Sequence, residues 1–252
     1  PYGSGGPNGS FSLMTSHYMK TYGTRREDFG KICVAQRDNA LQYPGALMNK
    51  PLTLDEYMNA RLIADPIVLY DCVMPCAGAE AYLVMREEDA IAQKLPYANI
   101  LATIERHNAF PDDPVQIRGG WALDVDELWG MAGIAPEDID LLQTYDDYPV
   151  ICAMQMEDLG FCEKGSISEF IQSNTLTYDG SFPHNTSGGQ LSVGQAGAAG
   201  GFLGLVEAIR QLTGGAQKNA VPNARRAAVA GFGIINFDRG LCSGAAVLEG
   251  QS

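Results

Sequence analysis

The sequence predicts an α/β layered fold, and three observations predict it. Short apolar runs of strand length alternate with segments of helical periodicity. Glycine and proline punctuate the change from one to the other. Hydrophobic residues make up 46% of the 252, enough to bury a sizeable core in one large domain or two smaller ones.

The elements follow in order. Phe11, Met14 and Tyr18 recur at helical spacing before Gly23, and Phe29, Ile32, Cys33 and Gln36 do so after it, so two short helices should flank that glycine. Thr24 to Glu27 and Thr53 to Glu56 both fit a capping box, in which threonine and glutamate satisfy each other's orphan backbone donors. Ala77 to Met85 is short, apolar and followed by Arg86-Glu87-Glu88-Asp89, which predicts a buried strand feeding a helix. Pro96 begins a new segment. A strand over Ile100–Ile104 is followed by a helix over Leu123–Met131 stopped by Gly133, then a strand over Ile139–Thr144 and a helix opened by Pro149 that ends near Gly160. Gly197 to Leu212 reads as a helix with an apolar stripe of Phe202, Leu205, Val206, Ile209 and Leu212. Ala227–Phe232 and Cys242–Leu248 read as paired buried strands around an Asp238-Arg239-Gly240 turn.

Composition narrows the function classes. The opening Pro1-Tyr2-Gly3-Ser4-Gly5-Gly6 has neither the charged nor the apolar region of a signal peptide, and its first residue suits a fragment better than a natural start. No run approaches the roughly 18 uninterrupted apolar residues of a membrane span. A formal net charge of −13, with no basic cluster longer than Arg25-Arg26 or Arg225-Arg226, argues against nucleic acid. It also means that an anionic cofactor needs a local basic patch, which a partner could supply. Six cysteines sit mostly inside apolar runs, as free thiols do, which suggests a reducing, cytoplasmic setting. Cys72 and Cys76 have no second pair or nearby histidine, so no metal site is expected there.

Three polar or glycine-rich loops fall after a strand or before a helix, where α/β folds place ligands. They are Thr144-Tyr145-Asp146-Asp147-Tyr148-Pro149, the stretch from Asn185 to Gly197, and Leu241-Cys242-Ser243-Gly244. In order and spacing they resemble the three C-terminal catalytic loops of the thiolase superfamily, in the branch of the sterol carrier protein x thiolases and bacterial lipid-transfer proteins. Gly188-Gly189-Gln190-Leu191-Ser192 with Gly197-Ala198-Ala199-Gly200 is the most specific phrase. The resemblance implies a thiolase-like layered fold, helices around a mixed sheet, with most of the N-terminal half missing. Residues 1–70 would be the loop domain, 71–95 the end of the N-terminal domain, and 96–252 the C-terminal domain.

The same resemblance implies an acyltransferase-type enzyme that makes or breaks a C–C bond next to a coenzyme A thioester. It places the nucleophilic cysteine upstream, since none of the six here stands in its position. Cys242 matches the second thiolase cysteine, which moves the α-proton and needs a pKa near neutral. Gly244, Gly194 and Asp146 fall in the expected substrate-binding and oxyanion set. Gln195 replaces the family's histidine; its amide donates a hydrogen bond but exchanges no proton near neutral pH. Tyr145 stands at the asparagine or histidine position, beside carboxylates, and the same turn could equally cap the Pro149 helix, with Asp147 or Tyr148 at its N-terminus. His184 lies near the glycine loop without matching a catalytic position, and His17 and His107 are assigned to structure or surface, His107 in a loop. The replacements at Tyr145 and Gln195 leave two alternatives open: a retro-aldolase on a side-chain acyl-CoA with a small OB-fold partner, and a non-catalytic lipid or acyl-CoA carrier. Relatives of this kind also imply a homodimer of the full-length protein.

Two other motifs fail on their own terms. Gly240-Leu241-Cys242-Ser243-Gly244 has the form of a hydrolase nucleophile elbow, but no histidine follows it. No segment completes a P-loop or a dinucleotide fingerprint.

Overall fold

Left-handed glycines and helix-opening prolines divide the chain into its elements. The computed structural model describes residues 6–236 and 239–251, so Pro1–Gly5 and Asp238 of the expected turn lie outside the described residues. Helix α1 (Pro7–Tyr22) stops at Gly23, whose φ of 73° lets its N–H reach back to Met19 O, and α2 (Arg26–Ala40) follows. Both helices are longer than expected, because Phe11, Met14, Tyr18, Phe29 and Ile32 are all buried in the main core and reward continued helix. The first capping box is displaced by one residue. Thr24 is buried with its hydroxyl unpartnered, and the N–H of Arg25 instead donates to Asp28 Oδ2 at 3.0 Å. The second is as expected at α3 (Leu54–Met58), with Thr53 N–H donating to Glu56 Oε2 and Glu56 N–H donating to Thr53 Oγ1.

A small antiparallel pair, β1 (Leu62–Ala64) and β2 (Ile67–Val68), precedes the stretch where the sequence reading fails. Ala77 to Met85 forms no strand. Its apolar residues find no partner edge among the described residues, and Leu83 and Val84 are 81% and 80% exposed. Helix α4 (Glu87–Gln93) does follow it.

The rest builds a mixed sheet. Strand β3 (Ala98–His107), helix α5 (Trp121–Ala132, stopped by Gly133), β4 (Leu141–Gln143) and α6 (Pro149–Asp158) come first. Next are α7 (Ile167–Ser173), α8 (Gly189–Val193) and α9 (Leu203–Leu212), then β5 (Arg226–Asn236) and β6 (Arg239–Gly250). The sheet order is β3-β6-β5-β4; β4 and β5 run parallel, and the other neighbours are antiparallel. Cys242-Ser243-Gly244 therefore lies inside β6, as the strand reading of Cys242–Leu248 expected and the loop reading did not, and His107 ends β3 rather than sitting in a loop.

Alternation along the strands sorts the two faces. Leu142, Ala228, Ala230, Phe232, Ala245 and Val247 face one core with Trp121, α1 and α6. Leu141, Ala227 and Leu248 face the other with Ala208 and Leu212 of α9. Every residue of α6 is buried, and the first core joins residues from α1 and α2 to the sheet without a break. The expected helix over 197–212 begins as a 3-10 turn (Gly197–Phe202), and its buried face is Leu203, Glu207, Ala208, Gln211 and Leu212. Glu207 tolerates burial because Thr186, Gln211 and Asn219 donate to its Oε1 and Arg210 donates to its Oε2. The predicted stripe of Leu205, Val206 and Ile209 instead lines an apolar groove of about 820 Å³ with Leu83 and Val84.

Candidate active site

The β4–α6 junction sets the site. Tyr145 N–H donates to Ala230 O at 3.1 Å, extending the parallel ladder past the end of β4. Gln155 of α6 clamps the same residue, its Oε1 accepting from Tyr145 N–H at 3.0 Å and its Nε2 donating to Tyr145 O at 2.7 Å. With the backbone held at both ends, the phenol is directed by its own polar neighbours. Tyr145 Oη donates to Asp147 Oδ2 at 2.9 Å, and Gln195 Nε2 donates to Asp147 Oδ1 and reaches Tyr145 Oη at 3.4 Å. Gln195 is itself fixed by a bridge to the segment before residue 77. Its N–H donates to Met74 O at 2.8 Å, and its carbonyl accepts from Cys76 N–H at 2.9 Å.

Burial sets the protonation states of this triangle. Desolvation pushes the Asp147 carboxyl up to about 6, against the pull of the Tyr145 hydrogen bond, so it is mostly ionised at neutral pH but within reach of a proton. Burial, and then the charge of Asp147, push the Tyr145 phenol well above its ordinary range. The phenol therefore stays protonated unless a proton enters as another leaves.

Cys242 lies two strands away. It pairs with Gly233 on β5 and with His107 on β3, while Gly244 pairs with Gly231. Two strand spacings and a two-residue offset put it roughly 12 Å from Tyr145, Cα to Cα. Between them Gly231 and Gly233 lie on the same face as Cys242 and leave the sheet bare: a Cβ built on either would meet nothing within 4 Å. Burial, and then the charge of Glu105, push the Cys242 thiol up, so it is a thiol rather than a thiolate at neutral pH.

Residues 121–241 match the family described as thiolase C-terminal domain-like. The chain is 31% identical over 225 residues to a 17-hydroxy-3-oxo-4-pregnene-20-carboxyl-CoA lyase of Mycobacterium tuberculosis, over 85% of this chain and 57% of that protein. The chain thus carries a thiolase C-terminal domain-like region and resembles the thiolase superfamily over most of its length. A second relative, a steroid side-chain-cleaving aldolase of Thermomonospora curvata, is 32% identical over 85% of this chain and 56% of its own length. The solved Ltp2-ChsH2(DUF35) aldolase has the same thiolase-like fold, with a TM-score of 0.83 at 25% identity over 99% of this chain and 65% of that one. The chain thus spans a little over half the length of these two curated relatives.

Three residues of the expected thiolase-type binding set have other duties. Asp146 is 1% exposed and accepts at both oxygens: from Gln36 Nε2 at 2.9 Å, Gln190 N–H at 2.9 Å and Leu191 N–H at 3.2 Å. Burial still raises it to about 7, but with its oxygens occupied it ties α2, α8 and the tyrosine loop together instead of facing a ligand. Gly194 donates its N–H to Gln190 O, and at φ 112° any side chain would strike Leu47 and Cys76, so it is a close-packing position rather than an oxyanion donor. Gly244 sits mid-strand between Glu105 and Gly231, where the ladder consumes backbone amides, and its carbonyl accepts from Trp121 Nε1 at 2.8 Å. Its contribution is a missing side chain.

Two participants escaped the sequence reading. Gln36, identified only as a helix position, holds Asp146 across 110 residues. His107, assigned to structure or surface, meets Cys242 with Nε2 3.8 Å from Sγ. His184, by contrast, is fully buried, donates to or accepts from Thr144 Oγ1 at 2.7 Å, and is held neutral by a desolvated pKa of about 3. It does not belong to the triangle. All six cysteines are free, and none of the described helices is long and apolar enough to cross a membrane.

Proposed function

We propose that the complete protein cleaves a carbon–carbon bond next to a CoA thioester by a retro-aldol reaction. The single observation that carries this reading is the Tyr145–Asp147–Gln195 triangle at the edge of the bare glycine floor. A side-chain β-hydroxyacyl-CoA lying on that floor would give its hydroxyl proton to Tyr145 as Tyr145 passes its own to Asp147. The Cα–Cβ bond then breaks, the hydroxyl carbon becomes a carbonyl, and the bonding electrons pass to the thioester as an enolate. Protonation at Cα completes the reaction; the un-ionised Cys242 thiol would give that proton and regain one from solvent as Asp147 releases its own. Gln195 orients the carboxylate, for which an amide suffices where a histidine would compete for the proton.

Thiolytic acyl transfer is the poorer reading of this site, because Tyr145 and Gln195 stand where the thiolase-type loops carry asparagine or histidine and histidine, and Gln195 exchanges no proton near neutral pH. The relatives named as a CoA lyase and a side-chain-cleaving aldolase support the same direction. A small partner subunit is supported by the Ltp2-ChsH2(DUF35) assembly, and such a subunit could bring the basic patch that a chain of net charge −13 needs for CoA. The test is to incubate the complete protein, with that type of partner, with a side-chain β-hydroxyacyl-CoA and to follow release of the carbonyl product and the shortened acyl-CoA. Loss of cleavage in Tyr145→Phe supports the relay, and unchanged cleavage refutes it.

One observation favours a second reading. The apolar groove beside α9 could hold a lipid chain, as in a carrier. Saturable lipid binding with no turnover of any acyl-CoA would select that function instead.

A further inference from the structure

The far end of the glycine floor carries a cluster of which the proposed reaction uses only the Cys242 thiol. Glu105 and His107 are two residues apart on β3, so their side chains share one face, and Cys242 is the direct cross-strand partner of His107. Their donor atoms all lie within 4.8 Å of one another. The Cys242 Sγ to His107 Nε2 distance is 3.8 Å, and His107 Nε2 to Glu105 Oε1 is 2.5 Å.

Which nitrogen is used decides what the cluster is. A thiol–imidazole–carboxylate proton relay engages opposite ring nitrogens, one facing the thiol and the other the carboxylate. Here the thiol and the carboxylate both meet Nε2, so three donors converge on one point. From these contacts we infer that Glu105, His107 and Cys242 form a binding site for a thiophilic divalent cation, with Zn²⁺ as the best match.

The chemistry and the spacing agree. Thiolate, imidazole and carboxylate are the donors zinc takes, and three protein ligands leave a fourth position open. Tetrahedral zinc with ordinary bond lengths needs a sulfur-to-nitrogen separation of about 3.6 Å, close to the observed 3.8 Å. The same geometry needs about 3.3 Å between nitrogen and carboxylate oxygen, so Glu105 must retreat by somewhat under about 1 Å. Its side chain is 66% exposed and free to do so. Binding releases the thiol proton to solvent and leaves sulfur as the anionic ligand. The backbone of this site is the sheet itself, which holds the His107 and Cys242 Cα atoms in register without help from a loop. The site stands whether or not Cys242 serves the retro-aldol reaction, although a bound cation would deny the thiol to substrate.

The test uses the whole chain, stripped with a chelator and titrated with ZnCl₂ against a chromophoric competitor, then with CoCl₂. The expected result is one tight equivalent, a near-ultraviolet thiolate-to-cobalt charge-transfer band, and at least a hundredfold weaker zinc binding in both Cys242→Ser and His107→Ala. Glu105→Gln should cost about tenfold. Because Glu105 and His107 are surface positions, these two variants are expected to fold, and circular dichroism verifies it. Zinc affinity unchanged in Cys242→Ser and His107→Ala, or a cobalt complex without the thiolate band, overturns the assignment. So does a band that persists in Cys242→Ser, which would place the metal on another cysteine.

Discussion

Replacing Asp147 by asparagine separates the cost of the triangle from its use. In the native protein the Asp147 carboxyl titrates near 6, raised by burial, whereas in the unfolded chain it titrates near the ordinary value of 3.8. A raised carboxyl is one that the native state prefers protonated. Between those two values the folded protein holds more protons than the unfolded one, so stability falls as pH rises through that window and stays lower above it. The shift of about two units corresponds to about 3 kcal/mol. Asparagine keeps the shape without the charge, and the Gln195 amide can turn to accept from it. The stability of Asp147→Asn minus that of wild type should therefore climb by about 2.5 kcal/mol from pH 4 to pH 8, whatever its offset at pH 4. Asp146, which feels the same charge, should add to the climb rather than oppose it. Urea unfolding at several pH values measures the difference directly. A stability difference that is flat with pH, or that declines toward pH 8, would refute a buried, strained carboxylate at this position. The same variant should lose cleavage activity at every pH.

Four further outcomes follow from the geometry. Tyr145→Phe removes only the hydroxyl bonded to Asp147, and steady-state kinetics should show kcat reduced by at least about 100-fold with a much smaller change in KM. Cys242→Ala should slow turnover at least about tenfold, and an unchanged rate would remove the thiol from the reaction. Gln36→Leu strips a donor from a fully buried carboxylate, so chemical denaturation should show a loss of about 1–3 kcal/mol. Gly231→Val should leave the fold intact, because its side chain enters open space, while raising KM for a bulky acyl-CoA; normal KM would show that the floor is not where substrate lies.

Much of the fold could be read in the sequence where local chemistry is decisive. Gly23, Gly133 and Pro149 start and stop helices through backbone geometry alone, and the paired strands from residue 226 onward follow from apolar runs on either side of a turn. The failures have tertiary causes. Ala77–Met85 has the composition of a buried strand, but a strand also needs a neighbouring edge, and composition does not reveal whether one is present. The α9 stripe was misjudged because Glu207 and Gln211 look solvent-facing until Thr186 and Asn219 are brought beside them. At the site, motif order was enough to bring forward Tyr145 and Gln195. The duties of Asp146, Gly194 and Gly244 were invisible, because motif position does not say whether an oxygen or an amide is already engaged. His107 and Cys242 are 135 positions apart, and only the β3–β6 register makes them neighbours.

The bond from Gln36 to Asp146 also has a practical side. Any attempt to retune substrate choice by randomising residues 145 to 148 would destroy most clones by breaking the fastening to α2, and the failures would look like lost activity. A library that keeps Asp146 and Gln36 constant, and varies Tyr145, Asp147 and Gln195 alone, would sample the chemistry while sparing the anchor that holds the loop in place.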